Sequence, residues 1–198
     1  MRLRHSHALP FSLLLITDEA AAASAGRSVV ETVEAALGAH AENVAVMLRC
    51  KDRAPSEVLQ QARALKQITD RTGARLIVHT FPEVADAVGA YGVHVADGVP
   101  RTPSYRGRWG ASRHLDTLQR GNDDALAWVT LSPVFPPTSK PDDTRPPLGL
   151  HRLRTCCAAS SVPVIALGGV TPNNILSCAV AGADVLLMPP DPLAVRAA

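Results

Sequence analysis

The chain has 198 residues, 46% of them hydrophobic and 4% aromatic, with a formal net charge of +2. That length supports one full-sized core and a single domain over residues 1–198. Near-balanced charge, with no basic patch interleaved with aromatics, excludes the usual signature of a nucleic-acid binder and of a charged membrane surface.

With so few aromatics, the core must be built from Ala, Val, Leu and Ile, as in layered α/β proteins. Residues 1–10 read as a flexible N-terminal extension. The stretch "MRLRHSHALPFSLLLITDEAAAASAG" mimics a secretory signal, but Phe11–Ile16 is short and Asp18 and Glu19 interrupt it. A first core strand, Ser12–Ile16, is the expectation. A helix over Ser28–Leu37 starts from a Ser cap and leads to a strand at Val44–Leu48. A helix over Ser56–Asp70, a strand at Arg75–Val78, a short helix at Pro82–Val88 and a strand at Gly92–Val95 follow.

The next segment, "DGVPRTPSYRG", is too rich in breakers for a helix, so this crossover is predicted as loop. Strands at Arg108–Ala111 and Ala127–Leu131 flank a weak helical pattern at Leu115–Gln119. The chain then reads as helix Leu148–Ala159, strand Pro163–Leu167, helix Asn173–Val180 behind Thr171-Pro172, and strand Val185–Met188. Unbroken apolar runs of this kind are strands covered on both faces, as in parallel sheets. Eight of them predict a (β/α)8 TIM barrel with a short or irregular fourth crossover. An open doubly wound sheet is the alternative that strand counting leaves open. No run is long enough to span a membrane.

Cys50, Cys156, Cys157 and Cys178 form no C-x-x-C pair, which suits reduced thiols and a cytoplasmic setting. Cys156 and Cys157 fall in a helical pattern and read as packing residues.

In a barrel, chemistry gathers at the C-terminal strand ends. Those ends carry Thr17-Asp18, Arg49-Cys50-Lys51, His79-Thr80, Val95-Ala96-Asp97, Ser112-Arg113-His114, Ser132 to Lys140, Gly168-Gly169 and Pro189-Pro190. Such a rim suits a small anionic molecule better than a polymer. In "VPVIALGGVTP" a strand ends in two glycines before a capped helix, the ingredients of a phosphate seat and also of an ordinary tight turn. Lys140 adds a point charge, with Thr138 and Ser139 as donors beside it.

The ordered blocks "LLLITD", "VMLRCKD", "RLIVHTFPEVADAVGAYGVHVADG", "WGASRH", "LSPVFPPTSK…PPLGL" and "VPVIALGGVTPNN…AGAD" resemble the thiamin-phosphate synthase and TenI family from about residue 11 onward. The resemblance implies a (β/α)8 barrel that binds a thiazole phosphate. Synthases of the family join it to a pyrimidine diphosphate, and TenI-type tautomerases aromatise it. The implied partner is thus a small-molecule phosphate ester, with no nucleic acid and no membrane; a homo-oligomer is compatible with the sequence.

By this likeness Arg49 and Lys51 match the basic residues of the family's Q-L-R-x-K strand end, although Met47 replaces its glutamine and Cys50 its acidic residue. Ser112 and His114 match the S-x-H block, Lys140 the phosphate-loop lysine, and Gly168 and Gly169 the glycine pair. Synthases use Mg²⁺ held by an aspartate in an N-D pair after the third strand and by another after the fourth. His79-Thr80 and Val99 fall at those places, with Asp97 close by. The expectation is therefore a TenI-like tautomerase without cofactor or metal, Mg²⁺ being needed only if synthase activity is retained. His114 would be its catalytic proton carrier. Arg49, Lys51, His79, Ser112, Ser139, Lys140, Gly168 and Gly169 would bind substrate.

The synthase, and a non-catalytic or regulatory phosphate-binding barrel, are the alternatives. Pro189 and Pro190 favour the latter, because they lack the N–H groups expected of the strand-eight turn. A zinc site of His79, His94 and His114 has the right residue type. His94, however, alternates with Val93 and Val95, so it is expected to point away from the mouth.

Overall fold

The computed structural model describes residues 8–50, 52–114, 125–136 and 145–188. Their order is β1 (Leu13–Ile16), α1 (Glu19–Ser24), α2 (Val29–Leu37), β2 (Val44–Leu48), α3 (Pro55–Thr72), β3 (Arg75–His79), α4 (Pro82–Val88) and β4 (Gly92–Val95). Then come β5 (Arg108–Arg113), β6 (Trp128–Leu131), α5 (Gly149–Ala159), β7 (Val164–Ala166), α6 (Ile175–Val180) and β8 (Val185–Met188). The strands are parallel, pair in chain order, and return from β8 to β1 through Leu13↔Leu186 and Leu15↔Met188. This is a parallel α/β fold. Among the described residues, helices follow β1, β2, β3, β6 and β7, while β4 runs to β5 through a helix-free crossover, as its breakers predict. Leu115–Gln119 lies outside the described residues, as do Lys51, Ser139, Lys140, Pro189 and Pro190.

Local chemistry explains the helices. Ser28 and Glu31 form a reciprocal capping box at the start of α2, with the Ser28 Oγ accepting from the Glu31 amide at 3.2 Å and the Glu31 carboxylate accepting from the Ser28 amide at 2.8 Å. Pro55 opens α3, and Gly73 closes it in a left-handed conformation with φ 79°. The sequence reading missed α1. There Asp18 accepts from the Ala21 amide at 3.0 Å, so the acidic pair that interrupts the first apolar run is a helix start.

Side chains alternate along each strand, making two environments. The outward set, including Val46, Leu48, Val78, Val93, Val95 and Ala111, packs beneath the helices on Val33, Leu65 and Val84. Another cluster joins Val129, Leu131 and Val164 to Leu153 and Cys178. The inward set holds Leu14, Ala45, Met47, Ile77, Trp128, Ile165 and Val185.

Trp128 is fully buried, and two glycines make its room. A Cβ on Gly110 would lie 2.0 Å from the indole Nε1, and one on Gly92 would lie 2.8 Å from its far ring edge. His94 stacks toward the indole, with ring planes 12° apart, and the His79 ring centroid lies 6.0 Å from that of His94. This corrects the expected direction of His94. The register pairs it with His79, and the apolar neighbours Val93 and Val95 face the helices while His94 faces the interior. Burial pushes His94 down to about 3, helped by His79 and Arg113; burial pushes His79 down to about 4, helped by Arg49.

Two predictions follow from this interior. Gly110→Ala overpacks the indole and should lower unfolding stability by about 1–3 kcal/mol or more, read from denaturant midpoints. Second, the unfolded chain protonates these histidines near 6.5 whereas the folded chain resists it. Their contribution to stability is therefore full above that pH and is lost as pH falls toward about 4. Urea midpoints should fall between pH 6.5 and 5, a window with little carboxylate titration, and His79→Asn should flatten that slope.

Candidate ligand site at the strand ends

The parity that buries Trp128 also aims side chains at the C-terminal mouth. Arg49 continues the inward series of Ala45 and Met47, His79 that of Ile77, and Ser112 and His114 that of Gly110. The Arg49 amide donates to the Thr17 Oγ1 at 2.9 Å, tying the ends of β1 and β2 together. Its guanidinium has no acceptor among the described residues, and its field reaches His79. His79 Nδ1 lies 2.6 Å from the Thr80 hydroxyl. Thr80 has φ 76°, a left-handed value rare for a β-branched residue, and its amide donates to the His94 carbonyl at 2.9 Å.

At the end of β5 three residues diverge. The Ser112 Oγ lies 3.1 Å from His94 Nε2 and 3.4 Å from Thr130 Oγ1, and the Ser112 side chain is half-buried. Arg113 turns outward and pairs with Asp97 at 3.3 Å, both side chains being mostly shielded from solvent. His114 Nδ1 lies 2.8 Å from the Ser132 carbonyl oxygen, which makes Nδ1 the donor. The Arg145 guanidinium nitrogen lies against the ring, 2.9 Å from Nδ1 and 2.8 Å from Nε2. Sequence reasoning missed Arg145 because it sits in a proline-rich loop with no periodicity.

Gly168 and Gly169 have φ 85° and 64°. Their Cβ positions would meet Pro133 at 2.8 Å and the Pro136 carbonyl at 2.6 Å, so packing against the loop after β6 already demands glycine at both. Their own N–H groups have no acceptor among the described residues. The helix behind them begins later than predicted, at Ile175, and Asn174 bonds backward to the Thr171 amide at 2.7 Å and the Gly169 carbonyl at 3.0 Å. The available donors are therefore those of the glycine turn and not those of a helix end.

The described residues do not fit a divalent cation. Asp97, the carboxylate nearest the expected positions, is held by Arg113. Thr80 stands where the resemblance calls for an acidic residue. Among the described residues no three His, Cys, Asp or Glu side chains converge. The zinc alternative fails on the same ground, since both His94 nitrogens face protein partners, Trp128 Nε1 at 3.1 Å and Ser112. A separate cavity of about 350 Å³ lies outside the ring between β1, α1 and α2, lined by Leu15, Ala22, Val29 and Val33 with Asp18 and Arg27. Of the strand-end residues it holds only Thr17 and Asp18, and none of the expected substrate contacts. No helix among the described residues is long and apolar enough to cross a membrane.

Comparison with known proteins bears on the family and the fold. Residues 13–188 match the thiamine monophosphate synthase (TMP-TENI) family. A thiamine-phosphate synthase of Methanoregula boonei is 35% identical over 180 residues, covering 87% of this chain and 81% of its own. The thiamine-phosphate synthase of Chloroflexus aurantiacus is 34% identical over 185 residues, covering 90% and 83%. A solved thiamine phosphate pyrophosphorylase from Pyrococcus furiosus superposes with a TM-score of 0.74 at 24% identity, covering 90% of this chain and 85% of that one, which supports the fold. The chain belongs to the thiamine monophosphate synthase family.

Proposed function

We propose that this protein is a thiamine-phosphate synthase built on a (β/α)8 TIM barrel. This reverses the preference drawn from the sequence, where the tautomerase stood first. The curated relatives at 34–35% identity are named as synthases. The reaction would join the thiazole nitrogen to the pyrimidine methylene, while the carbon–oxygen bond breaks and pyrophosphate leaves with the electron pair. The observation that carries the reading is the cation placement. Arg49 stands at the end of β2 without a protein acceptor among the described residues, beside a neutral His79, where an anionic leaving group can accept its hydrogen bonds. Ser112 and the N–H groups of Gly168 and Gly169 complete a polar rim. Lys51, Ser139 and Lys140 are proposed as further substrate contacts.

The tautomerase is the second reading, favoured by one observation: the described residues offer no carboxylate set for a metal. It would need His114 to exchange a proton, and the Arg145 guanidinium lies against both of its ring nitrogens.

Purified protein supplied with thiazole phosphate, hydroxymethylpyrimidine diphosphate and Mg²⁺ should yield thiamine phosphate by mass spectrometry. Arg49→Ala should lower kcat/KM by tenfold or more, since a lost charge-assisted bond costs about 1.5–3 kcal/mol. Aromatisation of the thiazole carboxylate phosphate with no thiamine phosphate formed would instead select the tautomerase, and His114→Ala should then abolish the rate. Ligand binding without either turnover would leave the non-catalytic barrel.

A further inference from the structure

We propose that Trp128, through His94, fixes the polarity of the Ser112 hydroxyl, so that Ser112 meets its ligand as a hydrogen-bond donor. The indole N–H lies 3.1 Å from His94 Nδ1, and an indole nitrogen donates but never accepts. Nδ1 must therefore present its lone pair. The neutral imidazole then carries its proton on Nε2, which lies 3.1 Å from Ser112 Oγ and 3.3 Å from Thr130 Oγ1.

Ser112 Oγ is thus an acceptor toward the interior. It receives from His94, and the Thr130 hydroxyl donates to it at 3.4 Å. No acceptor for its own hydrogen exists among the described residues, and the side chain stands half-buried at the mouth end of β5. The atom above it must accordingly be an acceptor, such as a phosphate oxygen or an unprotonated ring nitrogen. An amine or ring N–H would meet a donor.

The alternative arrangement shows what the indole contributes. Without a donor at Nδ1, His94 can place its proton there. Ser112 would then donate inward to Nε2 and offer a lone pair to the mouth, reversing its preference. Trp128 is 0% exposed and its ring is separated from the mouth by His94, so it is a positioning residue. Gly92 and Gly110 belong to the same device, because a side chain on either would displace the indole.

That Ser112 meets a ligand rests on the binding-site reading above; the imidazole tautomer does not, so the two can fail separately. The test is the ¹⁵N spectrum of His94, assigned by its loss in His94→Asn, in the wild type and in Trp128→Phe, which keeps an aromatic ring but removes the N–H. The wild type should show bare Nδ1 and protonated Nε2 from pH 8 to 5. Trp128→Phe should shift the population toward protonated Nδ1. It should also weaken binding of thiamine phosphate about tenfold, with little further loss when Ser112→Ala is added.

Protonated Nδ1 in the wild type overturns the proposal, and that spectrum decides even if the variant does not fold. An unchanged tautomer with unchanged affinity in Trp128→Phe also overturns it. If the wild type binds no thiamine phosphate, the functional reading fails, and a tautomer switch in the variant still supports the chain Trp128–His94–Ser112.

Discussion

Strand alternation in a closed parallel ring decides which side chains share the interior, and every feature of the mouth depends on it. Even one-residue spacing matters. Ser112 and His114 face inward, whereas Arg113 between them turns outward to Asp97. The same parity carries Arg49 to the mouth above Met47, and His79 above Ile77. The interior is then filled from the bottom by Trp128, which is accommodated only because β4 and β5 each contribute a glycine where the ring comes closest.

Above the indole the interior turns polar without turning charged. His94 is buried and held neutral, and His79 is pushed in the same direction by burial and by Arg49. Neutral imidazoles add no positive charge of their own beside the guanidinium groups at the mouth. A carboxylate in this layer would cancel the guanidinium charge, and the nearest one, Asp97, is drawn off by Arg113. Thr80 adds a second trace of altered chemistry. Its φ of 76° suits Asn, Asp or Gly, and a β-branched residue there stores roughly 1–3 kcal/mol of strain.

Much of this was legible in the sequence, for a physical reason. Strands covered on both faces must be continuously apolar, so β2, β4 and β8 were bounded to the residue, and the breaker-rich fourth crossover announced its lack of helix. The misses share another cause. A pattern of apolar neighbours cannot say which face is the interior, and Val93 and Val95 turned out to face helices, leaving His94 inside. The helix α1 was hidden because Asp18 and Glu19 were read only as the end of an apolar run. The late start of α6 came from Asn174 bonding backward, a side-chain choice that Thr171-Pro172 does not reveal. Arg145 had no pattern to betray it at all.

That last residue bears on how the site divides its labour. A proton-transfer catalyst needs one imidazole nitrogen anchored and the other open to substrate. His114 has the anchor, the Ser132 carbonyl, while the Arg145 guanidinium lies against both ring nitrogens. Held between a carbonyl and a guanidinium, the His114 ring has its orientation fixed from two sides.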